Sequence, residues 1–158
     1  MPKIKVYIDT SVLGAIYDTE DSTRVNITKQ LLNLFKKQEN FIPFVSNIVI
    51  EEVEKAPKDI TIGLKKIIKN TSFKILFETD DCVKLVNGYM KKKIIPQKYR
   101  DDARHIAVAV VHDMDIIVTW NCRHMANVEN KRIINAVNMM LGYKQIDIVT
   151  PLEVVGYG

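Results

Sequence analysis

A chain of 158 residues, 47% of them apolar and 27% charged, has the make-up of one soluble globular domain covering residues 1–158. Charges interrupt every apolar stretch and Asp9 comes too early for a signal peptide, so membrane insertion and secretion are excluded as expectations and a cytoplasmic location is favoured. Cys82 and Cys122 belong to no Cys-x-x-Cys pair, which excludes a zinc knuckle or a disulfide framework, and a formal charge of +4 favours an anionic partner.

Residues 3–8 read as a buried strand, after which Thr10 or Ser11 can cap a short helix starting at Val12. Residues 23–38 carry Leu31, Leu32, Leu34 and Phe35 at helical spacing. A strand follows at 41–46, a helix at 47–56 ended by Pro57, and a second helical stretch at 58–70. The third strand covers 73–77, and residues 79–93 are helical up to the break at Pro96. Alanine and valine dominate one side of a helix at 101–113, which leads into the apolar strand 115–120; a helix near 129–141 and a strand at 146–150 complete the chain. Short apolar strands alternating with helices predict a three-layer α/β/α fold around a mainly parallel sheet.

In such a sheet, ligands bind outside the carboxyl ends of the strands. Asp9 follows the first strand and Asn121 follows the strand 115–120. Glu51 and Glu52 fall on the helix after the second strand, and Asp101 and Asp102 open the helix before "DIIVTW". Four separate segments thus deliver oxygen-bearing side chains to one rim. Crowded carboxylates repel by several kcal/mol at an effective dielectric of about 20, so a cation belongs among them. Oxygen ligands without a His or Cys cluster suit Mg²⁺ or Mn²⁺ and the metal-assisted hydrolysis of a phosphodiester.

"YIDTSVL", "VSNIVIEEV", "DDARHIAVAVV" and "IIVTWNCRHMAN", in that order, resemble the PIN domain, the small nuclease fold of VapC-like toxins and their relatives. The resemblance implies a PIN-like fold and a metal-dependent endoribonuclease, with Mg²⁺ or Mn²⁺ on an acidic cluster. Position by position, the family's first acid falls on Asp9, its neighbouring hydroxyl on Thr10 or Ser11, its Glu on Glu52 with Glu51 beside it, and its third acid on Asp102. At the fourth position the family's Asp after "T-x" is replaced by Asn121, next to Thr119. An amide oxygen still approaches a metal or its water but brings no charge, which makes one ion more natural than two and raises an alternative, a PIN-like module that binds RNA or protein with little or no cleavage.

The resemblance further implies a toxin-antitoxin role, a homodimer, and an antitoxin protein that sets a basic residue among the carboxylates. Asp101 and His124 stand beside these positions, Asp101 as a neighbour of the acids and His124 as a cation able to contact phosphate. Lys91–Lys93, Lys98 and Arg100 precede Asp102 and can follow an RNA backbone, although such runs are ordinarily exposed helix faces. Trp120 either stacks a base or packs beside the sheet.

Overall fold

The computed structural model describes residues 2–91 and 95–156. Five strands form one all-parallel sheet: β1 (Ile4–Ile8), β2 (Phe41–Ser46), β3 (Lys74–Leu76), β4 (Ile116–Val118) and β5 (Asp147–Val149), in the spatial order β3-β2-β1-β4-β5. The chain steps outward from β1 in one direction through β2 and β3, then returns to the other side of β1 with β4. The order therefore reverses between β1 and β4, and the crevice beyond their carboxyl ends is the topological switch point at which open α/β sheets bind ligands.

The helices are α1 (Thr10–Gly14), α2 (Ser22–Lys37), α3 (Asn47–Glu54), α4 (Lys58–Asn70), α5 (Asp80–Lys91), α6 (Arg100–Val111), α7 (Val128–Met140) and α8 (Pro151–Val155). With this strand order, the right-handed rule for parallel crossovers puts the connections of β1 to β2 and β2 to β3 on one face and those of β3 to β4 and β4 to β5 on the other. In keeping with this, α2 packs on α8, whereas α5 packs on α6 and α7. The three-layer expectation holds, and coverage on both faces explains why Val6, Tyr7 and Ile8 are all fully buried, with no alternation along β1. Phe35 of α2 meets Phe41 and Phe73 edge-on at 6.0 Å, closing the core on that side.

Local chemistry sets the boundaries. Asp21 accepts from the Arg24 amide and caps α2, which ends at Gln38 in the left-handed region (φ 48°) with Lys36 and Lys37 complementing the helix dipole. Ser46 caps α3 through the Ile48 amide, and Asn127 caps α7 through the Asn130 amide. Alanines at 103, 107 and 109 let α6 approach its neighbours closely, and its residues 105–110 are buried.

Several boundaries differ from expectation. The cap of α1 is Asp9, one residue ahead of Thr10, because Thr10 and Ser11 already have helical backbone. A single 3₁₀ turn (Ala15–Tyr17) extends α1, and another (Gln97–Tyr99) precedes α6; neither carries a periodic signal of its own. Strands β3, β4 and β5 keep only three paired residues each. The short α8 was not anticipated from the sequence, although Pro151 at its first position favours a helix start. Residues 92 and 93, the expected end of the fifth helix and part of the basic run, lie outside the described residues. Among the described residues no helix is long and apolar enough to cross a membrane.

Candidate active site

The register of the sheet builds the centre of the site. Ile8 pairs with Val118, so the residues that follow, Asp9 and Thr119, emerge side by side at the switch point. Thr119 donates its hydroxyl to Asp9 Oδ2 at 2.6 Å, and Ser11 donates to Oδ1 at 2.5 Å. Ser11 Oγ and Thr119 Oγ1 in turn accept the backbone N–H groups of Trp120 and Asn121. Asp9 sits at the cap position of α1 but its side chain makes no capping bond. It is only 3% exposed and has no cationic partner within ion-pair distance among the described residues. A simple cap or surface ion pair therefore does not account for this carboxylate.

Asp102, in the first turn of α6, accepts from Asn121 Nδ2 at 3.0 Å. Asn121 Oδ1 faces the other way and accepts the His124 amide at 3.2 Å. Burial pushes the Asp102 carboxyl above its usual range, and the charge of Asp9 pushes it further. Asp9 is likewise raised, by burial first, against the lowering effect of His105 and the two hydroxyls; Glu52 adds to the rise. Asp9 is therefore coupled to both of the other carboxylates, Asp102 and Glu52.

Glu52 is organised from a direction that the sequence reading only half anticipated. Its Oε1 accepts from Thr10 Oγ1 at 3.0 Å and is bonded to His105 Nε2 at 2.6 Å. His105, 2% exposed, is bonded through Nδ1 to the Tyr7 hydroxyl at 2.5 Å, and Tyr7 reaches Ser46 Oγ at 2.8 Å. A buried chain thus runs from the cap of α3 through β1 and α6 to a carboxylate at the rim. Burial would raise Glu52, but the His105 and Thr10 bonds outweigh it and hold the group below its usual value. Burial keeps the Tyr7 hydroxyl protonated. Tyr7 and Ser46 carry no motif, but a phenol inside an otherwise apolar central strand needs a polar partner, and that need points to them. Tyr7→Phe removes the link and leaves His105 Nδ1 and Ser46 without it, with an expected loss of about 1–3 kcal/mol in chemical denaturation.

Glu51, one residue from Glu52, points elsewhere. With Glu78 and Asp101 it surrounds Arg104, whose guanidinium bonds Glu78 at 2.5 and 3.0 Å, Asp101 at 3.1 Å and Glu51 at 3.3 Å. Asn47 tethers Glu78 from the other side. Asp101 thus belongs to an ion-pair network beside the acidic centre, a network the sequence reading did not foresee because its members are scattered over three elements. Arg104 holds Glu78 below the usual carboxylate range. A depressed carboxylate contributes stability above its unfolded value near 4.5 and loses it as pH falls through the lower folded value. Wild type is therefore expected to lose on the order of 1 kcal/mol more than Glu78→Gln between about pH 5 and pH 3 in urea titrations.

His124 stacks on Tyr99 with ring centroids 3.8 Å apart, close enough to Asp102 to oppose the rise of its pKa. Trp120 is half-buried, donates Nε1–H to Thr28 at 3.0 Å, and lies under the Arg24 guanidinium at 4.9 Å.

Among the described residues no three His, Cys, Asp or Glu side chains are gathered closely enough to cage a metal ion. The donor set consists instead of electrostatically coupled carboxylates, Asp9 and Asp102, framed by the hydroxyls of Ser11 and Thr119 and by the Asn121 Nδ2 amide, with Glu52 held across the rim. These donors fit a hard ion such as Mg²⁺, which retains several waters and takes one or two protein carboxylates.

No protein-family model and no curated protein matches the sequence. Solved structures do match in shape. A chain of VapBC2 from Rickettsia felis, in a complex bound to a DNA fragment from their promoter, superposes with a TM-score of 0.58 at 16% identity, over 93% of this chain and 98% of that one. A chain of DNA-bound VapBC from Salmonella typhimurium gives 0.56 at 14% identity, over 94% and 98%. At these identities the likeness establishes the fold, which is PIN-like from end to end of the matched chains.

Proposed function

We propose that the chain is a metal-dependent endoribonuclease, the toxin of a toxin-antitoxin pair whose antitoxin protein restrains it. The observation that carries this reading is Asp9, buried at the switch point, clamped by two hydroxyls, without an ion pair among the described residues and coupled to Asp102 and Glu52. Asp9 and Asp102 would hold Mg²⁺ or Mn²⁺, with Glu52 reaching its water shell and Asn121 joining it once its amide turns the oxygen from the His124 amide toward the ion. The ion, when bound, polarises a phosphoryl oxygen and makes its water a stronger nucleophile. Ser11 and Thr119 fix the direction of the Asp9 carboxylate. Thr10 and His105 fix Glu52, leaving it ionised and able to take a proton from the attacking water.

The VapBC neighbours are two-protein complexes on DNA, which supports an antitoxin partner here. The homodimer and cytoplasmic location implied by the PIN resemblance belong to the same reading. Incubation with single-stranded RNA and Mn²⁺ should give internal cleavage that EDTA stops; intact RNA under both conditions contradicts the proposal. The binding-module alternative has one specific observation in its favour, the neutral Asn121 bonded to Asp102 where PIN nucleases carry another acid.

A further inference from the structure

Beside the acidic centre lies an open cleft of about 410 Å³. Its inner wall includes Ser11 and Asn121, the same side chains that bond Asp9 and Asp102. Its outer wall includes Tyr17, Arg24 and Trp120. Arg24 has no ion-pair partner among the described residues, and its Nε is buried without a hydrogen-bond acceptor. A desolvated guanidinium N–H left unpaired is costly to keep unless an acceptor arrives with a ligand. Trp120 supports the guanidinium from below and is itself anchored to Thr28, so the group is held in place. The carboxylate at the rim, Asp18, takes the amides of Glu20 and Asp21 on Oδ1 alone; these two bonds, and after them the charge of Arg24, hold it below its usual range, without an ion pair to Arg24 among the described residues.

We propose that this cleft binds a phosphodiester of single-stranded RNA adjacent to the one being cut, with Arg24 as its phosphate contact. The inference deepens the nuclease reading and rests on it. Guanidinium forks match phosphate oxygens in pairs, and the shared wall at Ser11 and Asn121 makes the cleft continuous with the acidic centre. RNA running through the crevice would thus have one phosphate at the carboxylates and its neighbour on Arg24.

Trp120 is the only tryptophan in the chain, so its fluorescence reports this cleft alone. The test is a titration of the full chain with a short 2′-O-methylated single-stranded oligonucleotide in EDTA, repeated at several salt concentrations. Wild type should show saturable change; Arg24→Gln should bind about tenfold more weakly, with a salt slope smaller by about 0.7. Arg24→Lys should recover part of the affinity, and Lys36→Gln, at the far end of α2, should bind as wild type. Equal binding by Arg24→Gln and wild type, no fluorescence response in wild type, or an equal response to polyglutamate would overturn the inference, the last by pointing to a carboxylate ligand from a protein. The readout is binding without metal, so a protein that binds in this Arg24-dependent way yet cleaves nothing with Mn²⁺ counts against the nuclease reading and not against the cleft.

Discussion

Asp9→Asn is expected to reduce Mn²⁺-dependent RNA cleavage by about a thousandfold or more, the equivalent of the several kcal/mol that a correctly held divalent ion contributes. The same substitution should leave the fold as stable as wild type or about 1 kcal/mol more stable. The reason lies in the surroundings of the carboxylate. Asp9 is 3% exposed and faces the charges of Glu52 and Asp102, and among the described residues its carboxylate has only hydroxyls as hydrogen-bond partners. An asparagine of the same shape removes the buried charge, and the hydroxyls of Ser11 and Thr119 can rotate to meet either an oxygen or an amide nitrogen. Loss of activity with gain of stability is the signature of a group kept for chemistry. Cleavage that survives the substitution, measured beside a thermal melt showing an intact fold, would remove Asp9 from the mechanism.

The second large effect is expected at Asn121. Its Nδ2 donates to Asp102 at 3.0 Å, so Asn121→Asp exchanges a hydrogen bond for two facing carboxylates. Without metal the variant should lose about 1–3 kcal/mol. With Mn²⁺ the sign reverses, because the added charge is neutralised by the ion, and affinity should rise by about tenfold or more. Urea titrations with and without Mn²⁺ measure both halves. The outcome for cleavage also separates the two readings of the protein. New cleavage by the variant, where wild type has none, would identify the natural chain as a binding module; a wild type that cleaves and fails on Asp9→Asn stands as the enzyme. Metal-independent stability in Asn121→Asp would contradict the placement of this side chain against Asp102.

Much of the fold was legible because buried parallel strands and amphipathic helices announce themselves in composition and spacing. "VYI" before Asp9 and "IIV" before Thr119 are continuous apolar runs that only a sheet covered on both faces can use. What the runs cannot express is register. That Ile8 lies opposite Val118, and so sets Asp9 beside Thr119, is a property of pairing between segments 110 residues apart. The 3₁₀ turns and α8 were missed because elements of one turn are too short to show a period.

The site divides in the same way. Asp9 and Asn121 could be singled out because each follows an apolar strand, Asp102 because it opens a helix, and Glu52 because the family resemblance places an acid there on the helix after β2. The side chains that orient them could not. His105 lies three residues after Asp102, but its bond to Glu52 and its support from Tyr7 come from three elements meeting in space. Arg24 lies far from every motif, and only the burial of its Nε and the cleft in front of it distinguish it from other surface cations.

The shared cation is tested most directly by calorimetric titration of Mn²⁺, without RNA, into the wild-type chain and into the Asp9→Asn/Asp102→Asn double variant. About one ion per chain should bind wild type and none should bind the variant at the same concentrations. A wild type that takes up no Mn²⁺, or a folded double variant that binds it equally well, would show that these buried acids do not meet around a metal.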